Sequence, residues 1–161
     1  MDTLSQLKKT FVWNTLANKR VLAAIEEAAA DAAVVTLLSH ALMAEYIWFL
    51  RIEGFDTTTR EVWPALSPAE CRERCGENDA IISAYLTSAS EAELARDVSY
   101  KNSRGDAFTT SVADILTHVT HHSAYHRAQI NRRLRECGAK PAVVDFISFA
   151  RGEWPETGVQ G

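Results

Sequence analysis

Apolar residues recur every three or four positions from Leu4 through Leu7, Phe11, Leu16, Val21, Leu22 and Ile25, the spacing that lays one hydrophobic stripe along an α-helix. Good helix formers lie between them, so the pattern predicts a first helix from Leu4 to about Ala30. Neither Gly nor Pro occurs before Gly54, and the break before the second helix rests on Asp31 as its cap. That helix runs through Val34, Leu37, Leu38, Leu42, Ile47, Trp48 and Leu50, with Gly54 as its stop. It is apolar on most sides and is therefore expected at the centre of the fold. After a loop from Phe55 to Leu66, Ser67-Pro68-Ala69-Glu70 reads as a capping box with proline at the first helical position, opening a third helix to about Ser88. Ser90 to Leu94 predicts a brief turn, and Val98 to Phe108 a short β-hairpin around Gly105. Ser111, with Asp114 three residues on, opens a fourth long helix that ends at Gly138 with Pro141 beyond it. A short helix over Val143 to Ala150 and a loose tail complete the chain. The expected architecture is an all-α four-helix bundle with a minor hairpin before the fourth long helix.

Composition narrows the class. A chain of 161 residues, 47% hydrophobic and 24% charged, fits one globular domain over 1–161 and excludes disorder. No apolar run reads as long enough to span a bilayer, and the N-terminus lacks the apolar core and cleavage site of a signal peptide. The expectation is an unprocessed cytoplasmic protein with no membrane partner. A net charge of −4 excludes a broad nucleic-acid surface. The one basic cluster, Arg127, Arg132, Arg133 and Arg135, lies near a helix end where cations offset the carbonyl dipole, and reads as capping and solvation. Three cysteines, Cys71, Cys75 and Cys137, do not make a disulfide framework. Cys71 and Cys75 could share a helix face as ligands, but no His or Cys follows at zinc-finger spacing, so surface or half-buried free thiols are expected.

The chemistry concentrates in the fourth long helix, where His118, His121, His122 and His126 fall within one short run. At about 100° per residue, with His122 at zero, His126 lies near +40°, His118 near −40° and His121 near −100°. The apolar residues Val112, Ile115, Leu116, Val119, Ile130 and Leu134 occupy about +20° to +120° on that scale. His122 and His126 therefore point furthest into the core, His118 sits at the edge, and His121 faces solvent. The fifth histidine, His40, lies on the second helix beside Ala33 and Ala44, which leave room next to an imidazole. Two imidazoles aimed at one dry volume lack protein partners unless an ion or water joins them. His40, His122 and His126 are thus the candidate metal ligands. Three neutral nitrogens suit a divalent ion, Zn(II) or Ni(II) foremost, with Co(II) or Fe(II) also open, and leave a coordination position for chemistry.

The same segments resemble the DinB/YfiT-like metalloenzyme family across nearly the whole chain. Trp13-Asn14-Thr15-Leu16-Ala17-Asn18 is similar to its first-helix signature, and Leu37 to Trp48, with His40, to its second-helix ligand segment. The hairpin Tyr100 to Phe108 also fits. His118-Val119-Thr120-His121-His122-Ser123-Ala124-Tyr125-His126-Arg127-Ala128-Gln129-Ile130 resembles the family pattern H-V-x-N-H-x-x-Y-H-R-G-Q-I, with His121 replacing asparagine and Ala128 replacing glycine. The resemblance implies an up-down-down-up helix arrangement, a divalent metal on His40, His122 and His126, and a homodimer. It also implies thiol S-transfer, in which a low-molecular-weight thiol cofactor such as bacillithiol, mycothiol or glutathione adds to a small electrophile. Two alternatives stand beside it: a metal-dependent hydrolase with Glu45 as base, and a non-enzymatic metal- or ligand-binding stress protein. Arg127, off the metal stripe at about 140°, reads as a structural ion pair rather than a ligand for a substrate carboxylate. Tyr125 and Glu45 are weaker candidates for supporting the site.

Overall fold

The computed structural model describes residues 2–155. The chain is mostly helical: α1 (Thr3–Glu27), α2 (Ala32–Ile52), α3 (Pro68–Ser88), the short α4 (Glu91–Leu94), strands β1 (Asp97–Lys101) and β2 (Ala107–Ser111), α5 (Val112–Glu136) and the short α6 (Phe146–Ala150). The starts follow local chemistry. Asp2, Asp31 and Ser111 each accept a hydrogen bond from the backbone N–H three residues on, at 2.7, 3.0 and 3.1 Å. Ser67 and Glu70 close the expected capping box, so each long helix begins with a donor of its first turn satisfied by a side chain.

Two boundaries differ from the sequence pattern. α1 stops at Glu27, three residues early, because Ala29 turns into the left-handed region at φ 46° and lets the Ala30 N–H reach the Ile25 carbonyl at 3.0 Å. That stop carries an alanine where glycine is the usual choice. α6 begins at Phe146 rather than Val143, because the preceding backbone is held by side chains. Asn131 both donates to and accepts from Ala142, and the Trp13 indole donates to the Val144 carbonyl at 2.9 Å. The hairpin pairs antiparallel, with Tyr100 opposite Phe108, and is longer at both ends than expected. The expected loose tail lies mostly outside the described residues.

Contacts along the long helices fix their relative directions. Phe11 meets Phe49 and Asn18 meets Glu45, so α1 and α2 run oppositely. Ser39 touches Cys71, the Leu42 carbonyl accepts from Asn78, and Phe49 meets Tyr85, so α2 and α3 run together. His40 lies by His126 and Trp48 by His118, so α5 opposes α2.

Besides a small cluster of Trp13, Ala17, Phe149 and Trp154, the interior falls into two larger apolar clusters. One gathers Leu7, Phe11, Phe49, Ile52, Ile82, Leu86, Ile115 and Val119; the other Val21, Leu22, Ile25, Leu38, Leu42, Ile130 and Leu134, with Cys71 and Cys75. Between them in sequence, on every long helix, stand polar residues that are also buried: Asn14 and Asn18, Glu45, Asn78, and Ser123 with Arg127.

The expectation that no apolar run could span a bilayer is corrected by α2. Its 21 residues and mean hydropathy of 1.5 meet the length and composition of a membrane span, although 61% of that stretch is buried inside the protein. Cys71 and Cys75 are also buried rather than at the surface, and only Cys137 is exposed.

Candidate metal centre

α2 and α5 run oppositely, which sets His40 against the inward pair of α5. The rings of His40 and His126 lie 4.6 Å apart, His40 and His122 5.0 Å, and His122 and His126 4.5 Å. One nitrogen from each residue lies within 4.8 Å of the others, and these three are the histidine group among the described residues that could hold a metal ion.

The orientation of two rings is fixed from behind. His40 donates from Nδ1 to the Val62 carbonyl at 2.7 Å, and His126 donates from Nδ1 to Gln129 Oε1 at 2.9 Å. Both Nε2 lone pairs are thereby left for the gap between the helices, the arrangement that readies an imidazole for a cation. The Nε2 atoms of His122 and His126 stand 3.3 Å apart. With the His122 proton on Nδ1, all three lone pairs converge. Burial and mutual proximity keep these rings neutral. Burial, then the neighbouring imidazoles, pushes the His122 pKa down to about 4. Burial lowers His40 against the raising effect of its bond to Val62, and lowers His126 together with His40, against Gln129. Neutral imidazole is the form that ligates.

His118 and His121 are exposed. His118 rests its ring against Trp48 at 5.2 Å, and neither joins the converging group. The sequence placed His126 and His122 innermost, and these two are the α5 histidines that are not exposed.

Three neighbours of the site escaped sequence reasoning. Trp63 stacks face to face on His40, with centroids 3.6 Å apart and planes within 3°, although it is half exposed and sits in a loop without periodicity. Val62 and Gln129 are the two hydrogen-bond acceptors that orient ligands. Only Gln129 carried a signal, being three residues after His126 on the same helix. Tyr125 is exposed and presents its ring to His126 at 5.3 Å.

Arg127 overturns its assignment to a solvated basic cluster, which holds for Arg132, Arg133 and Arg135 alone. It is fully buried, its guanidinium lies over Trp13, and burial brings its pKa down to about 10 against the opposing pull of Glu45. Nη1 donates to the Oδ1 atoms of Asn14 and Asn18, both at 2.7 Å. The same two asparagines donate from Nδ2 to Glu45 Oε1 at 2.7 and 2.9 Å. Ser123 adds a third bond to Oε1 at 2.7 Å, and Asn78 reaches Oε2 at 3.1 Å. The ion pair expected for Arg127 is thus bridged by two asparagines rather than direct. Glu45 accepts hydrogen bonds on both oxygens inside this layer, so it is not a free base for a water at the histidines.

Helices of this packing with three convergent histidines define a candidate metal-binding protein built on long α-helices. A sequence profile of the DinB family matches residues 1–158, and the chain belongs to that family. No curated protein and no solved structure matches it.

Proposed function

We propose that this protein is a metal-dependent thiol S-transferase whose divalent ion is held by His40, His122 and His126. The observation that carries the reading is the convergence of three neutral imidazole nitrogens, two of them oriented by hydrogen bonds from behind. Three nitrogen donors, with no fourth protein ligand grouped with them among the described residues, fit a catalytic rather than a closed structural site, with Zn(II) or Ni(II) the first candidates and Co(II) or Fe(II) next. The contact pairs among α1, α2, α3 and α5 support the family's up-down-down-up bundle as the frame. A divalent ion held by His40, His122 and His126 would supply Lewis acidity that favours the thiolate form of a cofactor thiol at neutral pH. The thiol loses its S–H proton to solvent, its sulfur forms the new bond to the electrophilic carbon, and the leaving group departs with the bonding pair. Exposed Tyr125 and half-exposed Trp63 flank His126 and give the small-molecule partners an aromatic wall. Reduced, unpaired cysteines suit the cytoplasm, and the homodimer implied by the family belongs to the same proposal.

The test is a panel of glutathione, bacillithiol and mycothiol, each offered with a fluorogenic electrophile to protein loaded with Zn(II) or Ni(II). Conjugation that needs one thiol, needs metal and stops with a chelator is the expected result. Absence of conjugation with every thiol and both metals, in protein that does bind metal, would replace this reading with the non-enzymatic one.

A further inference from the structure

Glu45 and Arg127 are not members of the converging histidine group, yet each helix that carries a histidine of the centre carries a member of the buried layer close beside it. Glu45 follows His40 by five residues, Ser123 follows His122, and Arg127 follows His126. On a helix such neighbours face about 100° to 140° away from the ligand, so they grip the other helices while the histidines meet.

Stability does not account for this layer. Replacing a buried ion pair with apolar residues is commonly neutral or stabilising, and here three buried polar atoms, Asn78 Oδ1 and Arg127 Nε and Nη2, have no hydrogen-bond partner. Each such atom costs free energy.

Register remains. The apolar clusters on either side of the layer tolerate small slides of one helix along another, because dispersion contacts are individually weak and undirected. A slide by one residue, about 1.5 Å, breaks the bonds of 2.7 to 2.9 Å that join Glu45 to Asn14, Asn18 and Ser123. It would also separate His40 from the α5 pair. We infer that Glu45 and Arg127, bridged by Asn14 and Asn18, are positioning residues that lock α2 and α5 in the one register at which His40 meets His122 and His126. The inference rests on the reading of those three histidines as a metal centre.

Co(II) tests it, since its visible absorption reports ligand geometry independently of turnover. The double variant Glu45→Leu with Arg127→Met removes both charges and is expected to fold. Its Co(II) affinity should fall roughly tenfold to a hundredfold, as for the loss of groups that orient ligands, and its absorption bands should move. Arg127→Lys keeps the charge but ends one bond short of Nη1, the single atom that donates to both Asn14 and Asn18, and should show the same spectral change even if the double variant does not fold. Wild-type affinity and bands in a folded variant would overturn the inference and leave the metal centre standing. A wild-type chain that takes up no Co(II) would overturn the metal centre and this inference with it.

Discussion

On α5, His122 and His126 face a gap shared with His40, whereas Ser123 and Arg127, the residues that follow them, face a layer of buried side chains from the other long helices. The two regions treat polar atoms in opposite ways. In the layer most donors and acceptors are matched within the protein, through asparagines that accept from Arg127 and donate to Glu45. At the histidines the hydrogen bonds lie behind the rings, at Val62 and Gln129, and the inward nitrogens point at one another. A matched network gains little from a ligand, whereas converging lone pairs call for a cation. One helix thus separates architecture from chemistry by a single step of phase.

The largest expected effect breaks the histidine side alone. His126→Ala should abolish stoichiometric binding of Zn(II) or Ni(II), measured by elemental analysis after dialysis, while His121→Ala should bind as wild type. Metal retained at full stoichiometry in His126→Ala would remove it from the ligand set. The next effect breaks the layer alone. Arg127→Met leaves the Glu45 carboxylate buried without its cation and should cost about 3–5 kcal/mol, the usual range for breaking a buried pair, read from urea unfolding. A loss below about 1 kcal/mol would mean that the asparagines and Ser123 satisfy Glu45 unaided.

A smaller effect separates the regions by pH. In the unfolded chain His122 titrates near the ordinary 6.5, and in the folded protein near about 4. Between those values the unfolded state binds a proton that the folded state refuses, so stability rises with pH through the window. The metal-free protein should hold its full stability above 6.5 and lose it as the pH falls toward 4, with His40 and His126 acting in the same direction. Urea midpoints at pH 7.5 and pH 5 check this, and His122→Gln should flatten the difference. An unchanged slope in that variant would place the pH dependence elsewhere.

The histidine side was legible in the sequence because helical phase is a local property. Apolar neighbours on α5 set His126 and His122 apart from His118 and His121, which the structure leaves exposed, and small residues beside His40 marked the facing helix. The layer was not legible, for a physical reason. Asn14, Asn18, Asn78 and Ser123 are ordinary surface or capping types, and nothing in their spacing shows that they converge on one carboxylate. Grouping Arg127 with Arg132, Arg133 and Arg135 misplaced it, because charge composition does not report phase, whereas its phase off the metal stripe led to the structural ion pair that Asn14 and Asn18 bridge. The four long helices were found from periodicity, with one capping box at Ser67 and single caps at Asp31 and Ser111. The end of α1 was missed because its stop rests on an alanine rather than on a glycine signal.

That stop supplies the smallest effect and a control remote from both regions. Ala29 holds φ 46°, a conformation that costs an L-residue roughly 1–2 kcal/mol, and glycine would adopt it without strain. Part of the gain is returned through the greater freedom of glycine in the unfolded chain, about 0.5–1 kcal/mol. Ala29→Gly should therefore stabilise by somewhat under about 1 kcal/mol and raise Tm by about 2 °C in a chain of this length. Its value lies in what should not move: Co(II) affinity and absorption should match wild type, because added stability at the α1–α2 turn changes neither the ligand set nor the register of α2 on α5. A rise in Tm accompanied by tighter Co(II) binding would show that metal affinity follows global stability, and the division between the histidines and the layer would then lose its meaning.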